Sequence, residues 1–155
     1  MISLPVANSK LKIVPLFEEE LLLLRPSASD IRSRTIGSIQ PSELEDAPFL
    51  LYPKQSNMRS MIDRFFQEIG VTPRVVMEAS DTEVIKRMVE SGFGYSILPE
   101  YALKGQTRLF RTMRIAGHRL IRSQALATVK SEHPRALTEM VIGFLQKALR
   151  DDLKK

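Results

Sequence analysis

The sequence predicts an α/β fold built around a parallel sheet, and three observations lead there. Short apolar runs that end at or begin with proline occur at Pro48–Tyr52 and Tyr95–Leu98, the latter stopped by Pro99, the pattern of strands covered on both faces. Between them lie two stretches whose apolar residues are spaced by three and four, as on a one-sided helix. The connections are short, so strand, helix, strand, helix and strand follow one another as crossovers of a parallel sheet do.

Taken in order, residues 11–25 read as extended, with a break at Pro15. Leu21–Leu24 is the longest apolar run, and its flanks, Glu18, Glu19, Glu20 and Arg25, make it a buried strand. Ser42–Ala47 suggests a short helix. After the Pro48–Tyr52 strand and a polar turn, Met58, Met61, Ile62, Phe65, Phe66 and Ile69 share one helical face. Asn57 is placed to cap that helix and Gly70 to end it. Arg74–Ala79 is the next strand. Ser80 and Glu83 have the spacing of a capping box, Val84, Ile85, Met88 and Val89 form the following stripe, and Gly92 ends it. Residues 107–115 and 119–129 suggest strands on either side of a turn at Ala116-Gly117. The last element is an amphipathic helix with Pro134 near its first turn and Leu137, Met140, Val141, Phe144, Leu145 and Leu149 on one face.

Composition limits the function classes. The chain has 155 residues, 43% hydrophobic and 26% charged, the balance of a globular domain. No stretch approaches the roughly 18 apolar residues of a membrane span. The first residues lack the basic-then-apolar pattern of an export signal, so a cytoplasmic location is expected. With no cysteine, disulfides and thiolate metal sites are excluded. The net charge is +5, and eight Lys or Arg against one acid fall between Lys104 and Arg135. Such a stretch can be a phosphate-binding surface or the solvated face of strands and turns.

Catalytic chemistry finds little support. His118 and His133 have no serine–acid partner and no second ligand at helical spacing. Glu18, Glu19 and Glu20 alternate across a strand, which does not pair carboxylates for acid–base work. Gly92 and Gly94 end a helix rather than start one, so they are no phosphate loop. No catalytic residue, metal site or cofactor is expected. Binding is better supported, because parallel strands end along one edge, where ligands favour the helix N-termini. Tyr52–Arg59, "YPKQSNMR", brings hydroxyl, amide and cationic groups to that edge. Asn57 and Ser80 also have a plain reading as helix caps.

"PLFEEELLLLRP", "LEDAPFLLYP", "RSMIDRFFQEIGVTP", "RVVMEASDTEVIKRMV" and "GFGYSILP" follow one another in this chain. In that order they resemble the effector-binding half of LysR-type transcriptional regulators, from about Ile2 to Leu149. The resemblance implies an α/β fold like the type II periplasmic binding proteins, two lobes joined by crossing strands, with the first lobe incomplete. It implies residues 1–18 and 123–155 as the remnant of the first lobe, 19–25 and 116–122 as the crossing strands, and 26–115 as the second lobe. It implies a small, anionic effector between the lobes, touching Ser3, Leu4, Tyr52, Pro53, Ser56, Asn57, Met58 and Ser80. Asn57 and Ser56 would be the main polar contacts. The effector would act on the geometry of a homo-oligomer, a dimer or tetramer in the full-length regulator.

The helix-turn-helix, linker helix and opening part of the first lobe have no counterpart in this sequence, so DNA would be reached only through a missing N-terminal domain. The truncated lobe would leave Leu137, Val141 and Phe144 uncovered. Two other readings stand beside this one: a free-standing solute-binding protein of the same fold, and weak nucleic-acid binding through residues 104–135.

Overall fold

The computed structural model describes residues 2–4, 8–27, 36–103, 110–130 and 136–152. In chain order the strands are β1 (Ile2–Ser3), β2 (Leu11–Pro26), β3 (Gly37–Ile39), β4 (Pro48–Leu51), β5 (Arg74–Glu78), β6 (Ser96–Pro99), β7 (Phe110–Ile115) and β8 (Leu120–Val129). The helices are α1 (Asn57–Glu68), α2 (Thr82–Glu90) and α3 (Ala136–Asp152). The chain divides into two compact units, Met1–Glu19 with Ile121–Lys155, and Glu20–Leu120.

The second unit holds a core built on the C-terminal half of β2. Leu21, Leu22, Leu23 and Leu24 are all buried, which needs cover on both faces of the strand. β6 pairs with this stretch antiparallel, Leu22 opposite Leu98, and β7 pairs antiparallel with Leu23 opposite Met113. β3 continues from β7 in parallel. The expected apolar face of α1 forms: Ile62, Phe65 and Phe66 are buried, and Phe66 meets Phe49 of β4 edge to face at 5.0 Å between centroids. In α2, Ile85 and Val89 are buried while Val84 is exposed, so its stripe is narrower than the sequence suggests. Gly70 and Gly92 take positive φ just past the two helices, as terminators do.

The expected three-stranded parallel sheet forms only in part. β4 and β5 are parallel, but β6 joins β4 through a single parallel bridge, Phe49 to Tyr95, and gives its ladder to β2. The physical reason lies at Tyr95 and Ser96. Tyr95 exchanges hydrogen bonds with Pro48 and Leu50 (2.8 Å each), and the buried Ser96 hydroxyl donates to the Leu50 carbonyl at 2.7 Å. Beyond that point the longer leucine strand offers four paired positions. Three smaller expectations also change. β2 passes through Pro15 without a break, because proline's fixed φ suits extended backbone and costs only one donor. The helix expected at 42–47 is a 3-10 turn at Pro41–Leu44. The third strand is shifted by one residue, to Ser96–Pro99.

In the first unit, β1 pairs antiparallel with β8, Ile2 opposite Ala125 and Ser3 opposite Gln124. Half-buried Glu19 takes hydrogen bonds from Arg122 and Gln124 on one of its oxygens. α3 buries Ile142 but exposes Leu137, Met140, Val141 and Phe144, the last 71% exposed. Its predicted apolar face is therefore largely uncovered in this chain. Residues 107–109, Pro134 and His133 lie outside the described residues, as does the side chain of Leu149.

Gly94 supplies a direct test of this packing. A Cβ there would stand 3.0 Å from the Pro48 carbonyl carbon and 3.3 Å from the Pro48 Cβ, whereas Gly70 faces open space. Gly94→Ala is expected to destabilise the chain by about 2–3 kcal/mol, and Gly70→Ala by about 1 kcal/mol through its backbone conformation. Urea unfolding of the two variants measures the difference.

Candidate functional site

Parallel pairing brings the C-terminal ends of β4 and β5 to one edge of the second unit. Leu51 opposite Glu78 is the last register pair, followed by a 3.0 Å hydrogen bond from the Ala79 amide to the Leu51 carbonyl. The chain then opens into two loops. One, Tyr52 to Ser56, leads into α1, and the other, Ala79 to Asp81, leads into α2.

The caps differ from the sequence reading. Ser56, not Asn57, caps α1: its backbone is extended and its hydroxyl accepts the Arg59 amide at 3.0 Å, while Asn57 is already the first helical residue. Asp81, not Ser80, caps α2, accepting the amides of Glu83 (2.7 Å) and Val84 (3.2 Å). An ionised carboxylate bonds those amides more strongly than a hydroxyl and is favoured by the helix dipole, so Asp81 prevails over its neighbour. Ser80 and Asn57 are exposed, and Pro53, Ser56 and Met58 are half-buried. Tyr52 is buried, and its hydroxyl lies 2.9 Å from the Thr82 hydroxyl at the start of α2. Ser3 and Leu4 belong to the first unit, where the Leu4 amide donates to the Ser123 carbonyl at 2.9 Å.

Of the two cations in "YPKQSNMR", Lys54 is exposed in the loop, whereas Arg59 is differently placed. Arg59 is 4% exposed and bonds Asp63 Oδ1 through Nε at 2.7 Å. Its Nη1 bonds Glu78 Oε1 at 2.8 Å and the Tyr52 carbonyl at 3.0 Å. Arg59 holds the Glu78 carboxyl below its ordinary range. The two helix starts thus differ electrostatically. α1 has an uncharged cap and no acid in its first turn, whereas α2 carries Asp81 and Glu83. A ligand's negative end is favoured at α1 and opposed at α2.

Among proteins of known family, the LysR substrate binding domain model matches residues 1–150. The chain belongs to that family. A probable RuBisCO transcriptional regulator of Guillardia theta is 28% identical over 138 residues, covering 86% of this chain and 44% of that protein. The Synechocystis PCC6803 CcmR regulatory domain, solved in complex with 2-PG, shares the fold with a TM-score of 0.79 at 20% identity, over 96% of this chain and 71% of that one. The reduced OxyR regulatory domain of Pseudomonas aeruginosa is 26% identical with a TM-score of 0.73, over 96% and 70% respectively. The architecture is therefore the periplasmic-binding-protein-like type II fold of LysR effector-binding domains. The chain spans less than half the length of the curated relatives it matches.

Elsewhere in the second unit of this LysR-type domain, a hollow is lined by Glu20, Phe65, Met113, Arg114, His118 and Arg119 among others. Its enclosed space takes about one water molecule, too little for a metabolite. Glu20 is buried and takes paired hydrogen bonds from both Arg114 and Arg119. The Arg114 hydrogen bonds, with those of Arg119, bring its carboxyl from 4.5 down to about 2 despite burial. Three arginines of the basic stretch, 114, 119 and 122, are thus engaged by Glu19 and Glu20. His118 packs edge-on to Phe65 in the same hollow.

Sequence reasoning missed Asp81, Thr82 and Glu78 at the edge and the engaged state of Arg59. The four-residue spacing of Arg59 and Asp63 is the one legible signal, since it places them on adjacent turns of a helix.

Two measurements check these assignments. Asp81→Ala is expected to lower stability by about 1 kcal/mol, and Ser80→Ala by a few tenths at most; thermal unfolding of both decides which residue is the cap. Glu20 has a folded pKa below its unfolded value, so its contribution is present above pH 4.5 and lost as pH falls toward 2. Urea midpoints followed across that window should decline, and Glu20→Gln should remove part of the decline.

Proposed function

We propose that this LysR-type domain is the effector-sensing part of a DNA-binding transcriptional regulator, with no catalytic role of its own. It holds a small anionic metabolite at the start of α1, against Ser56, Asn57 and Met58, with Tyr52, Pro53 and Ser80 around it. Binding changes the geometry of a homo-oligomer on DNA, which is contacted through a helix-turn-helix outside these residues, in the cytoplasm. Such a change requires a difference in affinity between two arrangements of the oligomer.

The observation that carries the ligand reading is the contrast between the two helix starts. α1 opens with a hydroxyl cap and no acidic residue in its first turn, while α2 is already capped by a carboxylate. An anion is drawn to the first and not the second. The same-fold CcmR domain with its bound 2-PG supports an effector role for this architecture.

Because Asn57 is exposed and not the cap, its substitution separates binding from folding. Asn57→Ala is expected to leave the melting temperature within about a degree, the range of a neutral surface change, and to reduce the thermal shift given by small phosphates and carboxylates. Ser56→Ala is expected to cost about 1 kcal/mol in addition to binding. A full ligand-induced shift in Asn57→Ala would place the anion elsewhere.

A further inference from the structure

We infer that Arg59 is a positioning residue, not a ligand contact: its buried guanidinium holds the Tyr52–Ser56 and Ala79–Asp81 loops at a fixed separation. This rests on the reading of that edge as the effector site.

The β4–β5 ladder ends at Leu51 and Glu78, with the Ala79 amide closing it onto Leu51. The next link past this point comes from a side chain. Nη1 of Arg59 bonds both the Tyr52 carbonyl, one residue beyond β4, and the carboxylate of Glu78, the last residue of β5. Nε bonds Asp63 one turn further along α1. One group therefore joins two strand ends to the first turns of a helix. Further out, the Tyr52 hydroxyl meets the Thr82 hydroxyl, so the side chain and carbonyl of Tyr52 are both tied down.

Charge decides between the two roles for Arg59. Its single positive charge faces two carboxylates, of Asp63 and Glu78, at ion-pair distance. A ligand anion at the guanidinium would have to displace these two carboxylates, which already occupy its donors. A planar guanidinium presents its donors in a fixed fork. Lysine has the charge but neither the fork nor the simultaneous bonds to a carbonyl and two carboxylates. The rigid fork is what the loop geometry uses.

The test is amide hydrogen exchange on the whole chain for the wild type, Arg59→Met, Arg59→Lys and Glu78→Gln, each repeated with inorganic phosphate. Arg59→Met is expected to speed exchange at residues 54–57 and 79–82 by about tenfold or more, the effect of losing charged hydrogen bonds. Leu50, Ile62 and Ile97 should stay near their wild-type rates. Arg59→Lys should recover only part of the protection, and Glu78→Gln, which removes one arm at a half-exposed position, should give a smaller change in the same segments. Unchanged loops in both Arg59→Met and Glu78→Gln, or faster exchange spread evenly through the second unit, would overturn the inference. Full protection in Arg59→Lys would overturn it too, since charge alone would then suffice. If the loops loosen as described but phosphate protects nothing in the wild type, the positioning role stands and the anion-site reading of the edge fails.

Discussion

Burying four consecutive leucines on one strand constrains everything else in the second unit. A strand with only one covered face alternates buried and exposed residues, so Leu21–Leu24 demands neighbours on both faces and on both edges. β6 and β7 take the two edges, and the helices that follow β4 and β5 contribute Ile62, Phe66, Ile85 and Val89 to the same core. Immediately before the leucines, Glu20 is buried as well. Its carboxylate is retained because two exposed arginines bond it, an arrangement that keeps the charge compensated where desolvation would otherwise neutralise it.

This constraint reaches the proposed effector edge through β4. Phe49, Leu50 and Leu51 are buried, with β5, β6 and α2 against β4 and Phe66 of α1 on Phe49, so the end of β4 has little freedom. Tyr52 begins the loop at a point that Arg59 and Thr82 then fix from two sides. The groups we propose for the ligand, Ser56 and the exposed Asn57, sit on a supported backbone. Preorganisation of this kind lowers the ordering cost of binding.

Much of this was legible in the residues. The apolar spacings of 58–69 and, apart from the exposed Val84, of 84–89, the terminating glycines and, to within one residue, the proline-bounded strands each report local geometry and stand in the structure. Less legible was anything set by a distant partner. The choice of β6 to pair with β2 rather than β4 depends on a leucine strand 72 to 78 residues away in sequence, and propensity contains no such term. The caps were ambiguous for a different reason. In "SDTE" three successive residues are acceptable N-caps, and residue type alone ranks them too closely to single out Asp81. Arg59 counts in the sequence among the cationic groups brought to the ligand edge, because spacing alone shows no partner for it beyond its own helix. Its burial follows from Glu78 on another strand. The exposed apolar face of α3, by contrast, was foreseen from the family pattern at Leu137, Val141 and Phe144.

The most direct test of the account is a titration of the isotopically labelled chain with small phosphates and carboxylates, followed by amide chemical shifts. A ligand seated at the α1 start should move the amides of Asn57, Met58 and Arg59 most, with smaller changes at Tyr52 and Ser80 and none at Arg114 or Arg119. Dominant shifts at Arg114 and Arg119, or small shifts spread over the basic surface, would contradict it.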